Sequence, residues 1–286
     1  MKGIEVKNIS KSFKDTQALR NVTLTFEAEK IYGLLGRNGA GKSTLLNIIS
    51  NRKYPNEGYV SVDGVPSAEN DEALRKMFLI NEMNLYPESM KVKDAFKVTK
   101  TFYPSFDEAN ALKLSEMFEL NIKKKIKSLS TGYQSIFRNI LALSVNVPYV
   151  FFDEPVLGLD AYHRDLFYRL LIEKYSEEPF TAVISTHLIE EVANVIEEVI
   201  IIKKGEILKN QSRDSILENS CTVSGTISHV DSYVASLPAE AEVIGSDVIG
   251  GLKSVYICGD DGARLPEGLE RSPIDLQKLF IQLTSM

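Results

Sequence analysis

Eight residues, Gly36-Arg37-Asn38-Gly39-Ala40-Gly41-Lys42-Ser43, carry the spacing G-x-x-x-x-G-K-S, in which each fixed position has a physical task. The glycines let the backbone curl until successive N–H groups point at phosphate oxygens. Lys42 brings a cation to the β- and γ-phosphates, and the Ser43 hydroxyl can ligate Mg²⁺. A second set ends the apolar run Val150-Phe151-Phe152 with two carboxylates, Asp153 and Glu154. An aspartate at the tip of a buried strand is placed to hold Mg²⁺ through water, opposite Ser43. Glu154, one residue on, lies nearer the γ-phosphate, where it can polarise a water as general base. A third run, Val183-Ile184-Ser185-Thr186, ends in His187. An imidazole leaving the same edge of a sheet can hydrogen-bond the γ-phosphate or the attacking water. His163 and His229 have no such setting and read as surface residues. The three sets together predict binding of a nucleoside triphosphate with Mg²⁺. They favour its hydrolysis over transfer to a bound hydroxyl, because the second carboxylate suits activation of water.

Those side chains need a scaffold, and the flanking pattern supplies it. Ile31-Tyr32-Gly33-Leu34-Leu35 reads as a buried strand, and Thr44-Leu45-Leu46-Asn47-Ile48-Ile49 has the spacing of a helix whose N-terminus adds partial positive charge to the loop. Short apolar strands at 149–152, 182–185 and 199–202 alternate with helical patterns, which predicts a parallel sheet with helices on its faces. Ile4-Glu5-Val6, Val22 to Phe26 and Tyr59 to Val62 alternate apolar and polar residues, the last ended by an Asp63-Gly64 turn, and read as half-buried strands. Between about 88 and 147 the period becomes helical, through Val92, Ala95, Phe96, Val98 and Thr99, then Leu112, Leu114, Met117, Phe118 and Leu120, with Ser105 or Asp107 as N-cap. From 212 the chain is Ser/Gly-rich, with strands expected around Val223–Ile227 and Ser254–Ile257 and a helix from Ile274 to Leu283. The reading is an α/β nucleotide-binding core over 1–82 and 148–211, a helical insertion over 83–147, and a small C-terminal accessory α+β domain over 212–286.

Composition narrows the class. The 286 residues suffice for a large core, and 44% hydrophobic with 25% charged residues is ordinary for a globular protein. A net charge of -6 gives nucleic acid no electrostatic invitation, so no nucleic-acid partner is expected. Two cysteines, Cys221 and Cys258, make neither a disulfide framework nor a metal set and read as reduced thiols in a cytosolic protein. The N-terminal residues do not read as a signal peptide. The longest apolar stretch, Leu141 to Phe152, is interrupted by Ser144, Asn146 and Pro148 and falls short of the ~20 residues a spanning helix needs. Any membrane part would come from a partner.

Over about residues 3–210 the ordered motifs resemble those of the ATP-binding cassette (ABC) ATPases, the nucleotide-hydrolysing subunits of ABC transporters. Leu129-Ser130-Thr131-Gly132-Tyr133 is similar to the family signature, LSGGQ. Val156-Leu157-Gly158-Leu159-Asp160 follows the acidic pair as the family's D-loop does, His187 matches the switch histidine, and Phe13 stands where an aromatic stacks on adenine. The resemblance implies an α/β P-loop NTPase core of ABC ATPase type with an antiparallel β subdomain. It implies ATP contacts at Phe13, Gly36, Asn38, Gly39, Ala40, Gly41, Lys42, Ser43 and Thr44, and Mg²⁺ ligands at Ser43, Asp153 and Glu82. Catalysis falls to Glu154, His187 and Lys42, while Ser130, Gly132 and Asp160 face ATP held on a second copy or a paralogous ATPase. It further implies integral membrane permease subunits as partners and a place on the cytoplasmic face of the cell membrane. Three positions depart from the pattern. Thr131 replaces the first signature glycine, Tyr133 the signature glutamine, and the glutamine that senses Mg²⁺ falls on Glu82, or on Asn81 if the loop is shifted by one. With Phe102 to Asp107 and Ile122 to Lys127, these departures resemble the cassettes of Gram-positive exporters of the Ytr and phenol-soluble-modulin type, which act on antimicrobial or amphipathic peptides or drugs. The alternatives are a soluble cassette ATPase of translation or DNA repair and a module that binds ATP without hydrolysing it. The second of these predicts a damaged Glu154 or His187, and both are intact.

Overall fold

The computed structural model describes residues 2–83, 85–259 and 265–285. The alternating N-terminal segments form β1 (Gly3–Phe13) and β2 (Thr16–Glu27), an antiparallel pair. After β3 (Ile31–Leu35) and α1 (Lys42–Ile49) the chain returns to this layer through β4 (Glu57–Val62) and β5 (Val65–Pro66), giving a four-stranded sheet of order β2-β1-β4-β5.

A second sheet is built around β3, which is buried at every residue, as a central parallel strand must be. Its other members are β6 (Met77–Ile80), which follows α2 (Asp71–Arg75), with β7 (Tyr149–Asp153), β8 (Thr181–Thr186), β9 (Glu198–Lys203) and β10 (Glu206–Ser212), in the order β10-β9-β3-β8-β7-β6. The register matters for function. Leu35 pairs with Thr186, Asp153 with Ser185 and Ile80 with Phe152, all in parallel pairs. The residues that follow β3, β6, β7 and β8 therefore leave the sheet at one edge, where open α/β sheets place their ligand sites. The two sheets share one core: Val6, Leu24 and Phe26 meet Leu34, Leu45, Ile49, Phe151 and Val183. Phe26 stands edge-on to both Tyr32, at 5.1 Å, and Phe151, at 6.3 Å. Emptying such a position, as in Phe151→Ala, costs about 3–5 kcal/mol.

The helical insertion contains α3 (Val92–Phe102), α4 (Glu108–Met117) and α5 (Thr131–Ser144). Val92, Ala95, Phe96 and Thr99 form the buried stripe of α3, and Phe96 packs between Phe106 and Phe137. Asp107 is the N-cap of α4, its carboxylate accepting the Asn110 N–H at 2.9 Å, while the Ser105 hydroxyl donates to the Val145 carbonyl. The helix α5 begins at Thr131. Ser130 caps it by accepting the Tyr133 N–H at 3.4 Å, so the signature-like residues form its first turn. Outside the insertion, α6 (Ala161–Glu177) follows β7.

The chain divides into two compact units: residues up to His187 together with Ile200–Asn210, and Leu188–Val199 together with Gln211 onward. The segment Leu188–Val199, assigned to the core from sequence, groups with the C-terminal unit. There α7 (Ile189–Val192) packs on the final helix, and the Arg213 guanidinium donates to the Ala193 carbonyl at 3.2 Å. After α8 (Arg213–Glu218), this unit has β11 (Ser220–Thr226), α9 (Ile227–Ala235), β12 (Glu242–Ile249), β13 (Leu252–Cys258), β14 (Leu269–Pro273) and α10 (Leu276–Ser285). Its strands pair antiparallel in the order β12-β13-β11-β14 around Val223, Val230, Val255 and Ile257. The sequence pattern anticipated β11, β13 and α10 but not α9, β12 or β14, whose apolar residues are broken by Ser, Gly and charge. Among the described residues no helix is long and apolar enough to cross a membrane, and Cys221 and Cys258 are free thiols.

Candidate active site

At the strand edge the chain leaves a cleft of about 1000 Å³ whose wall contains Asn38 to Thr44, Asp15 to Ala18, Asn81, Glu82, Asp153, Glu154, Leu157 and His187. The phosphate loop enters it from β3 and turns into α1 at Gly41. Gly41 has φ +112, and a Cβ there would stand 2.7 Å from the Ala18 carbonyl oxygen, so no side chain fits where the first helical N–H groups must be presented. Lys42 is buried, 6% exposed, with its ammonium donating to the Gly36 carbonyl at 2.6 Å and standing 3.5 Å from Glu154 Oε1.

The two carboxylates at the end of β7 have different surroundings. Asp153 accepts the Ser185 hydroxyl at 2.9 Å and the Ser43 hydroxyl. Burial pushes its carboxyl above the usual carboxylate range, and the neighbouring charge of Glu154 adds to the rise, against the two serine hydroxyls and Lys42. Glu154 is gripped from three sides. His187 Nδ1 lies 3.0 Å from both its oxygens, Thr186 Oγ1 donates to Oε2 at 3.3 Å, and Lys42 approaches Oε1. Its backbone has φ +52, a conformation that non-glycine residues hold only where the surroundings over-determine it. The short connection from Asp153 turns so that the second acid faces the loop rather than continuing the strand. Thr186 and Ser185 were missed as site residues; their signal was their place directly before His187 at the end of an apolar strand.

The donors present suit a hard divalent cation. A serine hydroxyl and a buried carboxylate, hydrogen-bonded to each other, offer two oxygen ligands of the kind Mg²⁺ takes together with waters and phosphate oxygens. Glu82 also lines the cleft but is exposed, whereas Asn81 is buried, and its Oδ1 accepts the Met83 N–H at 3.1 Å. Of the two positions in this loop, only Glu82 carries a charge.

Several predicted residues lie outside the cleft wall. The Phe13 ring sits at the end of β1, 40% exposed, with the Lys53 ammonium 4.9 Å and the Lys11 ammonium 5.3 Å from its centroid. Ser130 is the N-cap of α5, and Gly132, in its first turn, faces the Gly158 carbonyl of the D-loop. Asp160 is the N-cap of α6, accepting the His163 N–H and facing His163 Nδ1, each at 2.9 Å. His163 is therefore no surface residue. Its ring stacks on Phe118 at 6.1 Å and meets Tyr133 edge-on. Within one chain, the signature residues and Asp160 do not line the same cleft as Lys42.

Comparison with known proteins agrees with this geometry. The family model described as "ABC transporter" matches residues 19–157. The chain is 25% identical over 285 residues to the "ABC transporter ATP-binding protein YtrB" of Bacillus subtilis (strain 168), covering 97% of each chain. It is 33% identical to the "Uncharacterized ABC transporter ATP-binding protein MJ1023" of Methanocaldococcus jannaschii, over 71% of this chain and 75% of that one. Among solved structures, the dimeric post-hydrolysis state of the ATP-binding cassette MJ0796 bound to ADP and Pi superposes with a TM-score of 0.66 at 26% identity, covering 73% of this chain and 98% of that one.

Proposed function

This chain belongs to the ATP-binding, ATP-hydrolysing proteins of ABC transporters, and on that premise we propose that it drives export of antimicrobial or amphipathic peptides or drugs through a separately encoded membrane permease. The observation that carries the hydrolytic reading is Glu154, held by His187, Thr186 and Lys42 in the cleft that contains the phosphate loop. When the γ-phosphate enters, its oxygens compete with Glu154 for Lys42. The released carboxylate accepts a proton from water, whose oxygen attacks the γ-phosphorus while the bond to the ADP oxygen breaks. His187 keeps the carboxylate oriented, and the backbone donors of Gly39 to Ser43 receive the phosphate charge. Bound Mg²⁺, on Ser43 and Asp153 with Glu82 within the same cleft, would neutralise charge on the β- and γ-oxygens.

Ser130, Gly132 and Asp160 lie away from their own chain's cleft, which favours a sandwich in which each copy completes the other's site. We read the neighbourhood of Glu82 and the segment Asn84 to Met90 as the docking place of the permease: Met83 and Leu85 are 64% and 51% exposed there, and Asn84 is outside the described residues. That arrangement would hold the chain at the cytoplasmic face of the membrane. The exporter reading draws on Phe102 to Asp107, Ile122 to Lys127 and the full-length relation to YtrB, which includes the C-terminal unit.

The test is the solution mass of Glu154→Gln by light scattering. Conversion of monomer to dimer by Mg²⁺-ATP, with hydrolysis by the wild type, is the expected result; a monomer at saturating ATP would refute self-assembly of the sandwich. For export, cells lacking the chain should become more sensitive to amphipathic peptides, and unchanged sensitivity would remove that substrate class.

A further inference from the structure

One side chain outside the catalytic set touches both the loop after β6 and the helix that carries the signature. Arg138, on α5, donates through Nη1 to the Glu82 carbonyl at 3.1 Å and through Nη2 to the Ser135 hydroxyl at 3.0 Å. Ser135 is buried and donates in turn to the Leu157 carbonyl at 3.0 Å. A hydroxyl has one proton to give, so this chain of bonds has a fixed direction, guanidinium to hydroxyl to carbonyl, and each bond polarises the next. Both ends reach the nucleotide cleft, since Glu82 and Leu157 are part of its wall. Asn139, next on the helix, fastens the same loop by donating to the Pro155 carbonyl at 2.9 Å.

Arg138 is an unusual choice for this place. Burial lowers its pKa, opposed by the charge of Glu82. A half-buried cation satisfied by a carbonyl and a hydroxyl is poor material for stability. It faces the loop in which Asn81 or Glu82 stands where the family has a glutamine. The planar guanidinium presents its donors in a rigid fork that fixes the directions of the two bonds, whereas a lysine ammonium is a point charge with rotatable donors.

We propose that Arg138 is a positioning residue for ATP hydrolysis, joining the Asn81–Met83 loop to the Leu157 wall of the cleft through Ser135, so that a displacement of one is carried to the other. The inference rests on the ATPase reading of the site. The relay separates two tasks: the phosphate loop binds nucleotide, while the relay holds the wall in its hydrolysing position. Its loss therefore acts on kcat and spares KM.

The experiment is steady-state Mg²⁺-ATP hydrolysis by the full chain as wild type, Arg138→Ala, Arg138→Lys, Ser135→Ala and the Arg138→Ala/Ser135→Ala double variant, with hydrogen exchange of the 154–160 segment. Each single variant should lose roughly five- to thirty-fold in kcat with KM changed by less than about threefold, and the double variant should be no worse than the weaker single one. Arg138→Lys should recover little, because it keeps the charge and loses the fork. Exchange at 154–160 should rise alike in Arg138→Ala and Ser135→Ala. A kcat for Arg138→Ala within twofold of wild type, or a double variant equal to the product of the singles, overturns the relay. If Arg138→Ala does not fold, Ser135→Ala decides the matter, since it removes one oxygen; unchanged kcat and exchange there overturn it equally. A wild type that releases no phosphate overturns the ATPase reading and this inference with it, which distinguishes the two failures.

Discussion

Replacing Gly132 by alanine puts a methyl group where the D-loop already is. The added Cβ would stand 2.7 Å from the Gly158 carbonyl oxygen, against about 3.3–3.6 Å for an ordinary carbon–oxygen contact. The elements must therefore separate by roughly 0.6–0.9 Å. Neither side yields easily. Gly158 has φ +80, a conformation that suits glycine, and its preceding carbonyl is held by Ser135 while Pro155 is held by Asn139. The helix that carries Gly132 is buried from Ser135 through Asn139 apart from Arg138. Overpacking of this kind costs about 1–3 kcal/mol, which for a unit of this size lowers the melting temperature by roughly 2–12 °C. Because Leu157 forms part of the cleft wall, the same shift disturbs the hydrolytic geometry. A misplacement near 1 Å can cost about a hundredfold in rate, so kcat should fall by about an order of magnitude or more. The assay is thermal unfolding together with phosphate release, with Gly251→Ala as control, since nothing lies within 4 Å of a Cβ there and its backbone is not in the left-handed region. If Gly132→Ala behaves like the control in both measurements, the contact between the signature turn and Gly158 is not present in the working protein.

Three further outcomes follow, two from the site and one from a carboxylate outside it. Glu154→Gln should lower kcat by about 10²–10⁴-fold while leaving the melting temperature within a few degrees, because glutamine tolerates φ +52 no worse than glutamate and can still accept from His187 and Thr186; near-normal phosphate release would remove Glu154 as the base. Asp153→Asn should abolish hydrolysis yet stabilise the metal-free protein at neutral pH by about 0.5–2 kcal/mol. Burial raises the Asp153 carboxyl above its unfolded value, so its ionisation opposes folding at high pH, and the gain should vanish as pH falls below the ordinary carboxylate range; equal stability of the two proteins at pH 7 would contradict this. Asp63 behaves oppositely. Desolvation works against its charge, but the Lys76 ammonium at 2.8 Å, the Tyr149 hydroxyl and the Gly3 N–H outweigh it and hold the carboxyl below its usual range. Asp63→Asn should therefore lose about 1–2 kcal/mol at pH 7, and the difference from wild type should close as acid titrates the folded carboxyl. A constant difference down to pH 2 would show that charge is not its source.

The sequence alone determined the phosphate loop, the acidic pair and the strand–helix alternation. The reason is physical: phosphate is bound by consecutive backbone N–H groups, so Gly36 to Ser43 carry their chemistry in adjacent residues, and a buried strand announces itself by an unbroken apolar run. The N-cap of α4 was legible for the same local reason, Asp107 being one of the two candidates with Ser105, whereas the Ser130 cap of α5 was not, because Thr131 to Tyr133 carry no apolar period. Other features depend on which strands lie side by side. Only the pairing of β7 with β8 brings Ser185 to Asp153 and sets His187 and Thr186 on Glu154, and only the tertiary fold brings Arg138 to the Glu82 carbonyl. The 188–199 segment reads like core strand-and-helix sequence but groups with the C-terminal unit, because α10 and Arg213, distant in the chain, are there to receive it. Residue type and spacing specify what a side chain can do; the register of strands contributed by distant parts of the chain decides which side chains it meets.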